Sequence, residues 1–425
     1  MHHLIFPNPG HFHAALTLRK SDPRLSPDIF VYAEAGAELE AFLGLVNAFN
    51  TRAENPTHWV PHVVTGADWF ARLIAERKGD IAVLAGKNDR KMAHIRKLHD
   101  AGFHVLADKP WVVDTAGLPD LRAAMAGPPL VMDIMTERHE VTLVLLRSLL
   151  ADPQVFGKFA GSEAMPALEV ETTHQLYKTV NGKVLVRYPW YFDIRVQGDG
   201  IVDIPTHLVD QVQWLMGDHA NVYARDVELQ RARRWSTDLD ADAFQRITRL
   251  ATFPEALQPH VRQGVLRYLC NGEIGFRLRG VPARVRSVWG LTTTPTADDY
   301  RLVCRGTRAE IVLEHGAHAD SGRRLLVTPR AADAASVGAA LSALVAQWQA
   351  VHPGVQAVRR QDGWEIVVPA ALLIGHEDHF AMVLEEFLGH LERGAWPKHL
   401  ASNIITKYTL LAEATKLAGT SAQAD

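Results

Sequence analysis

The first third of the chain alternates short apolar runs with amphipathic segments, and this order leaves few folds open. Runs at 3–6, 28–33, 58–64, 80–85, 104–107 and 130–134 are too short for helices and are bounded by turn residues. The segments between them carry apolar residues at helical spacing. The clearest, 89–101, has Asp89 as a candidate N-cap, Met92, Ile95, Leu98 and His99 along one face, and Gly102 as a stop. Strands linked by crossover helices lie parallel, because each helix returns the chain to the same end of the sheet. The expectation is an α/β domain over residues 1–130.

Beyond residue 134 the pattern changes to longer β-rich stretches at 221–234, 264–291, 300–314 and 323–329, with helices interposed. This predicts an α+β domain over 131–425. Residues 276–279 and 283–286 alternate apolar with basic side chains, as in an antiparallel sheet with one wet face. Helical spacing covers 334–351, and a closing pair of helices is expected at 379–393 and 402–417. His376, Asp378 and His379 read as a solvated helix start.

A chain of 425 residues that is 47% apolar can build two cores. Its 45 Lys and Arg balance 48 Asp and Glu, so no broad basic surface is available for nucleic acid or anionic membrane. Cys270 and Cys304 are the only cysteines, too few for a disulfide framework or a cysteine-based zinc site. No export signal or membrane span is evident, and the expectation is a cytoplasmic protein with a small-molecule partner.

The first strand runs into Asn8, Pro9, Gly10, His11, Phe12 and His13 and then into a helical segment. Strand, turn and helix in that order suit a pyrophosphate. Against the pattern G-x-G-x-x-G only the middle glycine, Gly10, is present, so the loop alone reads more readily as an ordinary strand-to-helix turn. Asn8 stands at the first glycine position and tolerates left-handed backbone angles better than most residues. Glu34 ends the second strand 24 residues after Gly10, near the spacing of an acid that binds an adenosine ribose. With no cation beside it, Glu34 favours NAD over NADP.

At His104-Val105-Leu106-Ala107-Asp108-Lys109-Pro110 the chain resembles the Gfo/Idh/MocA oxidoreductases, with Asp108 in place of a glutamate. The resemblance continues at Gly198-Asp199-Gly200, followed by Asp203-x-x-x-His207 and Asp210. It implies a Rossmann domain followed by a large, mostly antiparallel open sheet. It also implies NAD or NADP as cofactor, sugars, glycosides or cyclitols as substrates, and a homodimer or homotetramer formed through that sheet. Carried onto this chain, it makes Lys109 the active-site lysine, Asp203 its acidic companion and His207 the proton-transfer residue. Gly86, Lys87 and Asn88 occupy the place of a cofactor-side turn in which only Asn88 matches.

Taking hydride from a secondary alcohol requires that its proton leave, so a base working near neutral pH and a cation beside the developing alkoxide suit the reaction. On a helix, Asp203 and His207 share one face at i and i+4, and Gly198 and Gly200 would let a ligand approach the backbone. A structural hydrogen bond is the plainer reading of that pair taken alone. No third metal ligand marks it, and none is expected. His174, Lys178, Trp190 and Tyr191 suggest a sugar pocket, against an equal reading as a capped sheet core, and Trp111 is expected to wall the nicotinamide cavity. Two other functions are compatible with these residues: redox-neutral glycoside cleavage through transient oxidation by bound NAD, and non-catalytic nucleotide-dependent regulation.

Overall fold

The apolar runs of the first third pair as one parallel sheet in the computed structural model, which describes residues 1–180, 183–217, 220–316 and 322–421. Its strands are β1 (Leu4–Pro7), β2 (Asp28–Ala33), β3 (Val60–Thr65), β4 (Ile81–Leu84), β5 (His104–Ala107) and β6 (Val131–Asp133). Strand order is β3-β2-β1-β4-β5-β6, with every pair parallel. Strands β1, β4 and β6 are buried along their whole length, as a sheet covered on both faces requires. Helices α1 (His13–Leu16), α2 (Ala37–Thr51), α3 (Trp69–Glu76), α4 (Lys91–Asp100) and α5 (Leu118–Ala124) provide the connections. Helix α4 starts two residues later than expected and Asp89 does not cap it, because Arg90 stands at the N-cap without a side-chain bond.

The remainder contains α6 (Val141–Ala151), α7 (Ile194–Gln197), α8 (Pro205–Met216), α9 (Ala241–Thr248), α10 (Ala334–Trp348), α11 (His376–Arg393) and α12 (His399–Ser421). Its strands are β7 (Leu168–Gln175), the small hairpin β8 (Thr179–Val180) and β9 (Lys183–Val184), β10 (Val227–Leu239), β11 (Val261–Arg262), β12 (Val265–Leu278) and β13 (Val281–Gly290). They continue with β14 (Asp299–Arg305), β15 (Ala309–His315), β16 (Arg324–Pro329), β17 (Gln356–Arg359) and β18 (Trp364–Val367). Ten of these strands form one sheet, ordered β10-β12-β13-β7-β14-β15-β16-β18-β17 with β11 beside β12. Among the described residues only β13 and β7 pair in parallel within it, so the sheet is mostly antiparallel.

Along β13, Ala283, Val285, Ser287 and Trp289 are buried while Arg284 and Arg286 are half-exposed. The arginines pair across to Glu169 and Glu171 of β7, directly opposite in register. The basic alternation at 283–286 is therefore two rungs of an Arg–Glu ladder.

Contacts divide the chain into two units, residues 1–139 with 374–409, and residues 140–373 with 410–425. Helix α11, assigned by linear order to the second domain, belongs to the first unit. Asp378 and Glu377 at its start pair with Arg19 at 3.0 and 3.3 Å, Glu386 pairs with His139 at 3.3 Å, and Phe380 packs on the His13 ring. The solvated start expected at His379 is not observed, since that residue is buried.

An ion pair from α12 completes the first unit: Lys407 Nζ lies 2.6 Å from Asp133 at the end of β6, with both side chains buried. The Tyr408 hydroxyl donates to the same carboxylate at 3.4 Å. Removing one member of a buried pair leaves a charge without water or counter-ion. Lys407→Met should therefore lower the urea-unfolding free energy by about 3–5 kcal/mol; a midpoint equal to that of the natural chain would show that this pair contributes nothing.

Candidate active site

In the first unit the loop after β1 turns at Asn8, whose φ of 42° is left-handed. The Asn8 N–H donates to the Tyr32 carbonyl at 2.8 Å, and its side-chain oxygen accepts the Glu34 N–H at 3.3 Å. These bonds bring the loop beside the exposed Glu34 at the end of β2. The chain then crosses the end of β4, where the N–H groups of Gly10 and His11 both donate to the Ala85 carbonyl, at 3.1 and 3.2 Å. Backbone closes this crossing at Gly86, whereas at Gly10 only a flexible side-chain end stands close. A Cβ on Gly86 would stand 3.0 Å from the Asn8 carbonyl oxygen, and one on Gly10 would meet a Glu38 carboxylate oxygen at 2.8 Å. Lys87 pairs with that same Glu38 at 3.4 Å.

Beyond the crossing, the rings of His11, Phe12 and His13 pack successively, with centroids 4.5 and 4.6 Å apart. His13 donates from Nδ1 to the Asp108 carboxylate at 2.9 Å, and His11 Nδ1 lies 3.7 Å from the same oxygen. Burial alone would raise the Asp108 carboxyl. The charge and hydrogen bond of His13, joined by the charge of Lys91, hold it well below the usual carboxylate range. Burial, followed by the charge of His13, pushes His11 well down, which keeps its imidazole neutral.

Asp108 leads into the half-buried Lys109, and the Lys109–Pro110 peptide is cis. Lys91, not singled out from sequence, ties this segment to the neighbouring turn. Its buried ammonium donates to Asn88 Oδ1 at 2.5 Å and to the Asp108 carbonyl at 2.9 Å. The only sequence signal was the three-residue spacing from Asn88. Trp111 does not wall a cavity. It is 1% exposed, donates from Nε1 to the Ala107 carbonyl at 3.1 Å and stacks on Tyr408, so it belongs to the core.

In the second unit Asp203 lies in the turn before α8 rather than within it, and His207 is the third residue of that helix. Gly200 serves packing, because a Cβ there would collide with the Asn271 backbone, while its N–H donates to the Leu269 carbonyl at 2.9 Å. The Asp203 carboxylate accepts from Gln197 Nε2 at 3.1 Å and from the Tyr191 hydroxyl at 3.5 Å. Burial and the charge of Asp203 push the Tyr191 phenol well above its ordinary value, so it stays protonated and able to donate.

Arg187, which carried no sequence signal of its own, connects this carboxylate to the other expected substrate residues. Its buried guanidinium lies 4.6 Å from the Tyr191 ring centroid and 5.0 Å from that of Trp289, and it donates to the carbonyls of Gln175 and Leu176. His174 packs on Trp289 and donates to Asp298 at 2.9 Å, and Lys178 reaches the same carboxylate at 2.5 Å. His174 and Lys178 thus share the Asp298 carboxylate and Tyr191 and Gln197 the Asp203 carboxylate, and the two groups touch through the Trp289 and Tyr191 rings on which Arg187 packs. Trp190 is half-exposed beside Tyr188 and Tyr191.

The parallel sheet, its glycine crossing and the attached mostly antiparallel sheet define a nucleotide-binding type of α/β domain joined to an α+β domain. The model of the "Putative oxidoreductase C terminal domain" matches residues 145–419. A putative oxidoreductase from Parabacteroides merdae superposes with a TM-score of 0.95 at 36% identity, covering 99% of this chain and 98% of that one. The chain belongs to the Gfo/Idh/MocA oxidoreductases, in the branch that carries this C-terminal domain.

Two more distant structures share the fold. Levoglucosan dehydrogenase, in complex with NADH and L-sorbose, has a TM-score of 0.62 at 14% identity, covering 99% of this chain and 97% of that one. Biliverdin reductase from Synechocystis, in complex with biliverdin and NADP+, has a TM-score of 0.58 at 13% identity, with coverage of 98% and 99%. A search of curated proteins found no match. Among the described residues no helix is long and apolar enough to cross a membrane.

Asp298 provides a stability test within the second unit. Burial would raise its carboxyl, but the hydrogen bond and charge of His174, with Lys178, hold it below the usual range. A lowered carboxylate contributes stability above its unfolded value of about 3.9 and loses it as pH falls through the folded value. Asp298→Asn should therefore cost about 1–3 kcal/mol at neutral pH, with the deficit disappearing in strong acid; unfolding curves across pH measure it, and a deficit independent of pH would contradict this origin.

Proposed function

We propose that the chain is an NAD-dependent dehydrogenase passing hydride between nicotinamide and a secondary alcohol of a sugar, glycoside or cyclitol. The observation that carries this reading is the strand order of the parallel sheet, with its reversal at β1 and β4. Dinucleotides bind outside the carboxyl ends of such strands at the reversal, where the Gly10 and Gly86 loops cross. Asn8 to His13, Glu34, Gly86 to Asn88 and Asp108 would hold the cofactor. Glu34 fits the ribose end, because its carboxylate is exposed while its N–H is bound by Asn8. Over Gly10 the flexible ends of Glu38 and Lys87 must turn aside, since their present pairing covers that backbone.

When bound, nicotinamide supplies the hydride acceptor. His207 takes the hydroxyl proton, leaving its oxygen negatively charged, and the Lys109 ammonium stabilises that charge. Asp203 orients and balances the imidazolium, while Tyr191 and Gln197 hold its carboxylate in place. His174, Lys178 and Trp190 are assigned to substrate hydroxyls and a sugar face, whereas Tyr191 is a positioning residue. The levoglucosan dehydrogenase complex supports a carbohydrate substrate. Biliverdin reductase shows that the fold alone does not select one.

A screen of pyranosides and cyclitols with NAD and NADP, following reduced nicotinamide, tests the reading. Lys109→Ala and His207→Ala should each reduce kcat/KM by about 10²–10⁴-fold in a folded protein, and unchanged rates would reject their roles. NAD should be preferred over NADP, with Glu34→Ala narrowing that preference by about tenfold. A natural chain that favours NADP would remove Glu34 from the ribose site.

A further inference from the structure

The loop crossing gathers two imidazoles and a carboxylate from segments about ninety-five residues apart in sequence. One ring nitrogen each of His11 and His13 and one Asp108 carboxylate oxygen lie within 4.8 Å of one another, and the His13 backbone N–H donates to His11 Nδ1 at 3.4 Å. The oxygen is 2.9 Å from His13 and 3.7 Å from His11, and the two rings meet edge-on at 4.1 Å between centroids. A tetrahedral ion with bonds of about 2.0–2.2 Å places its donors about 3.3–3.6 Å apart. Small side-chain rotations span the difference. The Asp108 side chain is 6% exposed, and its second oxygen, Oδ1, has no hydrogen-bond partner among the described residues. A buried carboxylate oxygen without a donor is costly and suggests a missing positive partner. The nearby Lys91 ammonium is directed to the Asp108 main-chain carbonyl instead.

We propose that His11, His13 and Asp108 bind a divalent first-row transition ion, zinc being the best match to two imidazoles and one carboxylate. Three protein donors leave a fourth position open, as in zinc sites that exchange a water or ligand. All three residues belong to the first unit and stand among those given above to the cofactor, so ion uptake is read on the chain free of NAD, where it does not require that hydride be transferred. A chain that bound the ion without reducing nicotinamide would sustain this site and reject only that reading.

The test uses the full-length chain without an affinity tag, stripped by a chelator and titrated with Zn2+ against a chromogenic competitor. Co2+ provides a visible spectrum that distinguishes four-coordinate from six-coordinate binding. The expected result is about one ion per chain with a four-coordinate cobalt spectrum. His11→Ala, His13→Ala and Asp108→Asn should each weaken binding by roughly tenfold or more, while His62→Ala, at an exposed histidine paired with Asp28, leaves it unchanged. Circular dichroism checks that the variants fold. The measurements on the natural chain stand by themselves if a variant does not fold. Failure of that chain to take up a stoichiometric ion, a six-coordinate spectrum, or undiminished affinity in any of the three folded variants would overturn the site.

Discussion

The crossing of two loops at the ends of β1 and β4 is the contact on which the first unit's chemistry depends. The Ala85 carbonyl accepts the N–H groups of Gly10 and His11, and this draws the loop after β1 over its neighbouring strand. The approach is possible because Gly86 has no side chain to meet the Asn8 carbonyl. Once the loop lies there, His13 reaches Asp108 in the loop after β5, and Lys91 holds that second loop from below. Two glycines, one carbonyl and one buried lysine thereby position residues that are remote in sequence.

The second unit uses a different device. A guanidinium packed on the Tyr191 and Trp289 rings stands between the Asp298 cluster and the Asp203 carboxylate, each of which is held by its own hydrogen bonds. Such a network is sensitive to loss of any member, because the low-polarity surroundings that strengthen its bonds also penalise an unpaired group. It also explains how Tyr191, an aromatic residue that reads equally as core or pocket, acts through its hydroxyl on the neighbouring carboxylate.

The parallel sheet was legible because β1, β4 and β6 are continuous apolar runs buried along their whole length, a composition that burial on both faces imposes, whereas the edge strand β3 is largely exposed. The larger sheet was less so. Its central strand β7 carries Glu169 and Glu171 between buried residues, and was not expected as a strand. Strand β10 was expected six residues too early, and its pairing has register shifts between Leu229 and Arg231 and between Trp235 and Thr237. Shifts of that kind interrupt the two-residue alternation by which a strand is recognised. Strands β17 and β18 have four residues each, too few for a clear period.

By itself the sequence determined the order of the βαβ units, the left-handed tolerance at Asn8, and the family motifs around Lys109 and His207, because local backbone preference and side-chain period are written over a few neighbouring residues. Only tertiary structure decided that Trp111 is core, that Gly200 packs on a strand, and that Arg187 and Lys91 tie distant segments together. It also decided that His11, His13 and Asp108 meet. Each of those outcomes depends on which remote backbone lies alongside, and strand pairing and loop crossing settle that after the local pattern has been formed.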